Sequence, residues 1–202
     1  MGVTERKERE KHERRRAILN TAKELIREIP FEDITMEEIA KRLELSRATL
    51  YLYFRNKSEI FATLLTEGME ELEKGYRDAT GHTRDAMDRM LKMAVVFFTF
   101  YQKNHAYFDL IVTKRSEMLK EVGPEVLESF NKAGTNVITP IAEAYRAGMD
   151  AGKFLPREPE KMAYLLRAVA IGIAVGVREG KFKFPDDIGI LQEFVLHGVM
   201  KN

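Results

Sequence analysis

Helical periodicity dominates this chain of 202 residues. Apolar side chains returning every three or four positions line one face of an α-helix, whereas a half-buried strand needs strict alternation. Ile18, Ala22, Leu25 and Ile29 keep the helical spacing, with Leu19 and Ile26 widening the stripe. They place a first helix over residues 5–28, which Pro30 stops because its ring and missing N–H cannot continue the ladder. No convincing alternating run occurs, so the expected fold is all-α.

Helix starts are marked by small polar residues. Thr35 with Glu38 three positions on forms a capping box, and Met36, Ile39, Ala40 and Leu43 supply the buried face of a second helix. After a turn at Glu44 and Leu45, Ser46 is expected to cap a short third helix to about Leu52. Ser58 is expected to cap a long fourth to about Ala79. Gly81, Asn104, Gly123 with Pro124, Gly152 with Pro156, and Gly180 with Pro185 divide the remainder into five more helices, about nine in all. The expected organisation is a three-helix helix-turn-helix domain over residues 1–57 and a helical domain over 58–202.

Composition closes several routes. At 45% hydrophobic and 32% charged residues the balance is that of a globular chain, and the net charge of +1 neither demands nor excludes nucleic acid. The absence of cysteine removes disulfides, thiolate nucleophiles and Cys-ligated zinc, and suits a reducing cytoplasm. The polar first sixteen residues make no signal peptide, and no run of about 18 residues is apolar enough to span a bilayer, so a cytoplasmic protein is expected. His12, His82, His105 and His197 are scattered, with no phosphate-binding glycine loop and no metal-ligand pair; no enzyme, cofactor or metal is expected.

The segment Thr35 to Phe61, TMEEIAKRLELSRATLYLYFRNKSEIF, carries the chemistry. Two short helices joined by a tight turn make a helix-turn-helix, whose second helix enters a DNA major groove. Arg47, Ala48 and Tyr51 share one side of that helix, while Leu45, Leu50 and Phe54 close a small core with Ile39 and Leu43.

The order Ser-x-Ala-Thr-Leu-Tyr-x-Tyr-Phe-x-x-Lys, intact from Ser46 to Lys57, resembles the N-terminal domain of the TetR family of transcriptional regulators over about residues 12–65. The resemblance implies a DNA-binding, ligand-responsive homodimer, most often a repressor. Arg47 would then fork onto a guanine edge and Ala48 meet a thymine methyl. Thr49, Tyr51 and Tyr53 would give hydroxyls to phosphates, joined by Thr35, Ser46 and Lys57. Glu44 departs from the family's usual turn glycine, which requires a non-glycine residue to hold a positive φ at about 1 kcal/mol and sets an acid near DNA. The competing reading is a helical ligand-binding or scaffold protein whose DNA binding is weakened or lost.

Residues 1–16 carry seven basic side chains against four acids. They form either a solvated helix extension or an arm along the DNA backbone. Residues 87–119 are rich in Met and aromatics; most are expected in the core and the rest around a small-molecule cavity. Met90, Phe97, Tyr101, His105, Phe108, Arg115 and Tyr145 are the expected ligand residues, for a hydrophobic or aromatic effector with one polar anchor. In the nearly uncharged run Met162–Val177, Ala168, Gly172, Val175 and Gly176 would admit a partner helix. With Leu191, Phe194 and Val195 they suggest a four-helix homodimer interface, and hence a near-palindromic operator.

Overall fold

The computed structural model describes residues 2–183 and 187–200, without the side chains of Val3, Ile188, Leu191, Gln192, Val195 and Leu196. Pro185, one of the expected helix breaks, lies outside the described residues. In chain order the helices are α1 (Val3–Glu28), α2 (Met36–Arg42), α3 (Arg47–Tyr51), α4 (Lys57–Thr80), α5 (Ala86–Lys103) and α6 (His105–Thr113). They continue as α7 (Arg115–Met118), α8 (Pro124–Asn136), α9 (Thr139–Asp150), α10 (Pro159–Arg178) and α11 (Ile188–Val199), with one 3-10 turn at Phe31–Asp33.

Among the described residues there are eleven α-helices rather than about nine. Lys114 separates α6 from the one-turn α7, and Pro140 in the first turn of α9 forces a restart after α8. Extended pairing is limited, among the described residues, to an isolated antiparallel bridge between Phe154 and Met200.

The chain divides into two compact units, residues 1–68 with 105–132, and residues 69–104 with 133–202. Residues 58–68 and 105–132 thus pack with the N-terminal region, a division that differs from a boundary at residue 57.

In the first unit, Ile18, Ala22 and Leu25 of α1, Ile39 and Ala40 of α2, Leu50 of α3, and Phe61 and Leu65 of α4 are all buried. Phe31 meets Phe61 edge to face at 5.2 Å, and Arg42 clamps Glu28 through two contacts of 2.6 and 3.1 Å. The cap of α4 is Asn56, whose Oδ1 accepts the Glu59 N–H at 2.8 Å. Ser58, the expected cap, instead donates its buried hydroxyl to Glu121 at 2.5 Å, while Asn56 Nδ2 donates to the Glu121 carbonyl at 3.0 Å. These bonds tie the segment before α8 to the start of α4.

In the second unit α9 packs against both α5 and α10. Its core joins Ala86, Tyr145, Phe154 and Val199, with Met87, Met90, Met149, Met162 and Leu166 packed around them. Gly148 is required here, because a Cβ would overlap the Phe154 ring. Asp85 caps α5 by accepting the Asp88 N–H and also receives Lys153 at 2.5 Å.

Candidate nucleic-acid interface and ligand cavity

The turn that aims α3 is closed by a paired bonding pattern at the end of α2. Glu44 N–H donates to the Lys41 carbonyl at 3.1 Å and Leu45 N–H to the Ala40 carbonyl at 2.9 Å. This is the Schellman arrangement, which needs a left-handed residue between them. Glu44 supplies it at φ +53°, the one non-glycine residue with positive φ among the described residues.

Ser46 then caps α3, accepting the Thr49 N–H at 3.1 Å. Leu50 and Phe54 point into the core, and Arg47, Ala48 and Tyr51 are left exposed on a helix of five residues. Leu52, 79% exposed at the end of that helix, extends the face and escaped the sequence reading. Its signal was an apolar residue off the core spacing beside the reading positions.

Arg47 is held by its own neighbours. It pairs with Glu37 of α2, and its guanidinium lies 5.9 Å from the Tyr51 ring centre. The Tyr51 hydroxyl first, and the Glu37 carboxylate second, raise the Arg47 pKa above its ordinary value. Both members of the ion pair are more than half exposed, so the pairing is weak and readily exchanged for acceptors on a base edge.

Several expected phosphate contacts are already committed. The Thr35 hydroxyl accepts the Glu38 N–H at 3.1 Å, and the Ser46 and Thr49 hydroxyls bond each other at 2.8 Å. Tyr53 is half-buried, and its carbonyl accepts from Arg15 at 3.1 Å. Lys57 is likewise engaged within the fold: its ammonium donates to the carbonyls of Phe31 (2.9 Å), Glu32 (3.2 Å) and Ile34 (3.0 Å). With three donors and three carbonyls, and the Phe31 ring centre 4.4 Å away, the cation is spent holding the 3-10 turn. In the N-terminal helix Arg15 stacks on Phe54 at 4.1 Å and Arg16 pairs with Glu67 at 2.7 Å, whereas Arg14 is exposed.

The expected ligand residues do not converge. Met90 and Phe97 line a cavity of about 140 Å³ in the second unit, walled by α5 and α10 with Tyr76 of α4 and Ile141 of α9. Tyr101 is buried elsewhere on α5, and the Tyr145 hydroxyl is occupied by the Leu155 carbonyl at 2.9 Å. His105, Phe108 and Arg115 belong to the first unit, with His105 exposed, Phe108 buried and Arg115 5.6 Å from the Phe130 ring centre. Tyr76 and Arg167 are the polar residues among the described lining, and the Arg167 guanidinium lies 5.5 Å from the Tyr164 ring centre. Arg167 had a sequence signal: it is the one charge in the run Met162–Val177.

On α10 Ala168 and Gly172 are exposed and Val175 is half-buried. Gly176 departs from the expected interface, because the Phe182 ring of the same chain covers it and a Cβ would lie 2.6 Å from that ring. The side chains of Leu191 and Val195 lie outside the described residues. Leu165 and Phe194 are 55% and 67% exposed, and a groove of about 590 Å³ runs between α10 and α11.

An all-helical chain with an exposed reading face on a capped helix-turn-helix is a DNA-binding regulator by architecture. The family model described as "Bacterial regulatory proteins, tetR family" matches residues 18–64, so this N-terminal segment is similar to that of the TetR family of transcriptional regulators. It is 20% identical over 192 residues to the HTH-type transcriptional regulator YhgD of Bacillus subtilis, covering 94% of this chain and 98% of the relative. It is 25% identical over 190 residues to the HTH-type transcriptional activator FasR of Mycolicibacterium smegmatis, covering 94% and 80%. A protein from Saccharomonospora viridis solved in complex with choline shares the fold, with a TM-score of 0.75 at 22% identity over 95% of this chain and 100% of that one. No helix of the described residues is long and apolar enough to cross a membrane.

Proposed function

We propose that this regulator is a cytoplasmic homodimeric repressor that leaves a near-palindromic operator when a small apolar effector binds its C-terminal region. The observation that carries the DNA reading is α3 itself, with Leu50 and Phe54 buried beneath it while Arg47, Ala48 and Tyr51 face solvent. Arg47 reads guanine and Ala48 a thymine methyl. Tyr51, Thr49, Thr35 and Ser46 set register on phosphates by donating hydroxyl protons, which N–H capping does not use at Thr35 and which the bond between Ser46 and Thr49 leaves to one of that pair at a time. Residues 1–57 thus read DNA and 58–202 sense and dimerise, acting by binding and without catalysis.

Dimerisation is supported by Tyr164, Leu165, Ile190 and Phe194, large apolar side chains exposed along α10 and α11. Two reading helices must meet half-sites about 34 Å apart, which a two-fold pair of chains provides. An effector that binds better to another spacing shifts the population off DNA.

A gel shift on the upstream region of the protein's own gene, with in vitro transcription from that promoter, tests this. Arg47→Ala is expected to weaken the complex by about tenfold or more, the loss of one bidentate base contact. Glu37→Gln, which frees Arg47 and removes an acid near DNA, is expected to tighten it. If wild type and Glu37→Gln both fail to bind, Glu44 and Glu37 would instead mark a helical scaffold that has lost DNA binding. Transcription raised by the bound protein would make it an activator.

A further inference from the structure

We propose that the first turns of α1 form a helical basic arm whose row of Lys7, Lys11 and Arg14 lies on the phosphate backbone of DNA beside the bases that α3 reads. This rests on the DNA-binding reading above and deepens it by assigning a second contact that is independent of base sequence.

The row continues a packing face. Ile18, Ala22 and Leu25 are fully buried in the core of the first unit. The same helical spacing, followed from Ile18 towards the N-terminus, passes through Arg14, Lys11 and Lys7. Every described side chain from Thr4 to Arg14 is exposed. Where α1 leaves the body of its unit, its inward face therefore changes from apolar to basic.

The point of departure lies beside the reading helix. Arg15 stacks on Phe54 at 4.1 Å and donates to the Tyr53 carbonyl at 3.1 Å, directly after α3 ends. From Lys7 to Arg14 the helix rises about 10 Å, at 1.5 Å per residue. That is the rise of about three nucleotides along one strand of B-DNA, so three cations meet about three phosphates.

The acids of the arm are turned away from the row or already held. Glu10 is paired with Arg6 at 3.0 Å and Glu13 with Arg9 at 3.7 Å. Glu5 accepts the Gly2 N–H at 3.0 Å, and Glu8 lies about 100° around the helix from Lys7. Among the described residues, no hydrogen bond, ion pair or ring contact engages the side chains of Lys7, Lys11 or Arg14. Lys7 and Lys11 are moreover like charges four positions apart, which weakens a helix in isolation. A polyanion along the row relieves that repulsion and gains the release of its own counterions.

The experiment measures binding of the full-length protein to a duplex from the upstream region of its own gene, and to a random duplex of the same length, across salt concentrations. The triple variant Lys7→Gln, Lys11→Gln, Arg14→Gln is expected to weaken both complexes by the same factor. Its log–log salt slope is expected to fall by about 3 per bound chain, close to one for each phosphate given up. Phosphate ethylation interference reads the contact directly, and positions that matter to wild type are expected to fall silent in the variant. Glutamine is a good helix former, so helicity and Tm are expected to hold.

A slope reduction smaller than 2 per bound chain, or an unchanged ethylation pattern, overturns the proposal. Binding to phosphatidylglycerol vesicles that needs the row, with the DNA slope unchanged in the variant, also overturns it and assigns the row to a lipid surface. Should the triple variant lose helicity, Lys7→Gln and Lys11→Gln taken singly decide it, each expected to lower the slope by about 1 per bound chain. Wild type that binds both duplexes equally, with a slope set by the row, sinks the operator reading alone. An operator complex whose slope ignores the row sinks this proposal alone, and failure to bind either duplex sinks both.

Discussion

Glu44 stands where the left-handed conformation favours glycine. Because the two turn bonds at Lys41 and Ala40 are both made, the helix-turn-helix angle is kept and the cost is local strain. Glu44→Gly removes a Cβ penalty of about 1 kcal/mol, partly offset by glycine's greater unfolded entropy. A rise in Tm of about 2 °C is expected for a chain of this length, and an unchanged or lower Tm would deny the strain. Lys57 makes the opposite case, a residue whose type signals DNA and whose contacts signal structure. Lys57→Ala leaves three carbonyls short of a charged donor and is expected to lower Tm with the salt dependence of DNA binding unchanged. If the log–log salt slope instead drops by about 1 with Tm intact, Lys57 sits on a phosphate.

Between elements, exposed ion pairs act as locators more than as sources of stability. Arg42 joins α2 to the end of α1 through Glu28, and Lys114 joins the start of α7 to the 3-10 turn through Glu32. Hydrogen bonding from Arg42 holds the Glu28 carboxyl below its ordinary value, and hydrogen bonding from Lys114 does the same for Glu32. A carboxyl depressed in the folded state binds more protons when unfolded. Its contribution is therefore present above the ordinary glutamate value of 4.5 and fades as pH falls through the lower folded value. Tm is expected to be flat from pH 7 to about 5 and to decline below, with a shallower decline in Glu28→Gln. An identical acid limb in that variant would show that the pair contributes nothing.

For the molecule as a whole, the prediction concerns assembly. Leu165 is more than half exposed on α10, and an aspartate there places a charge on an apolar face. Leu165→Asp is expected to sediment as a monomer with unchanged helicity and to lose operator affinity steeply, since one chain reaches one half-site. A dimer that persists would place the interface elsewhere.

The helices, their caps and the reading motif were legible from sequence because they obey short-range rules. Thr35 and Ser46 bond N–H groups three residues away, Pro30 blocks its own turn, and the spacing from Ile18 to Leu25 is one helix face. Even the positive φ at Glu44 follows from the tightness of a turn spanning a few residues. What tertiary structure alone decided was who meets whom across tens of residues. Lys57 is claimed by carbonyls more than twenty positions earlier, Ser58 by Glu121, and Gly176 by Phe182 after the helix ends. An ammonium, a hydroxyl or a guanidinium carries the same donors in every fold. Which acceptor it finds depends on the packing of helices that no local spacing specifies.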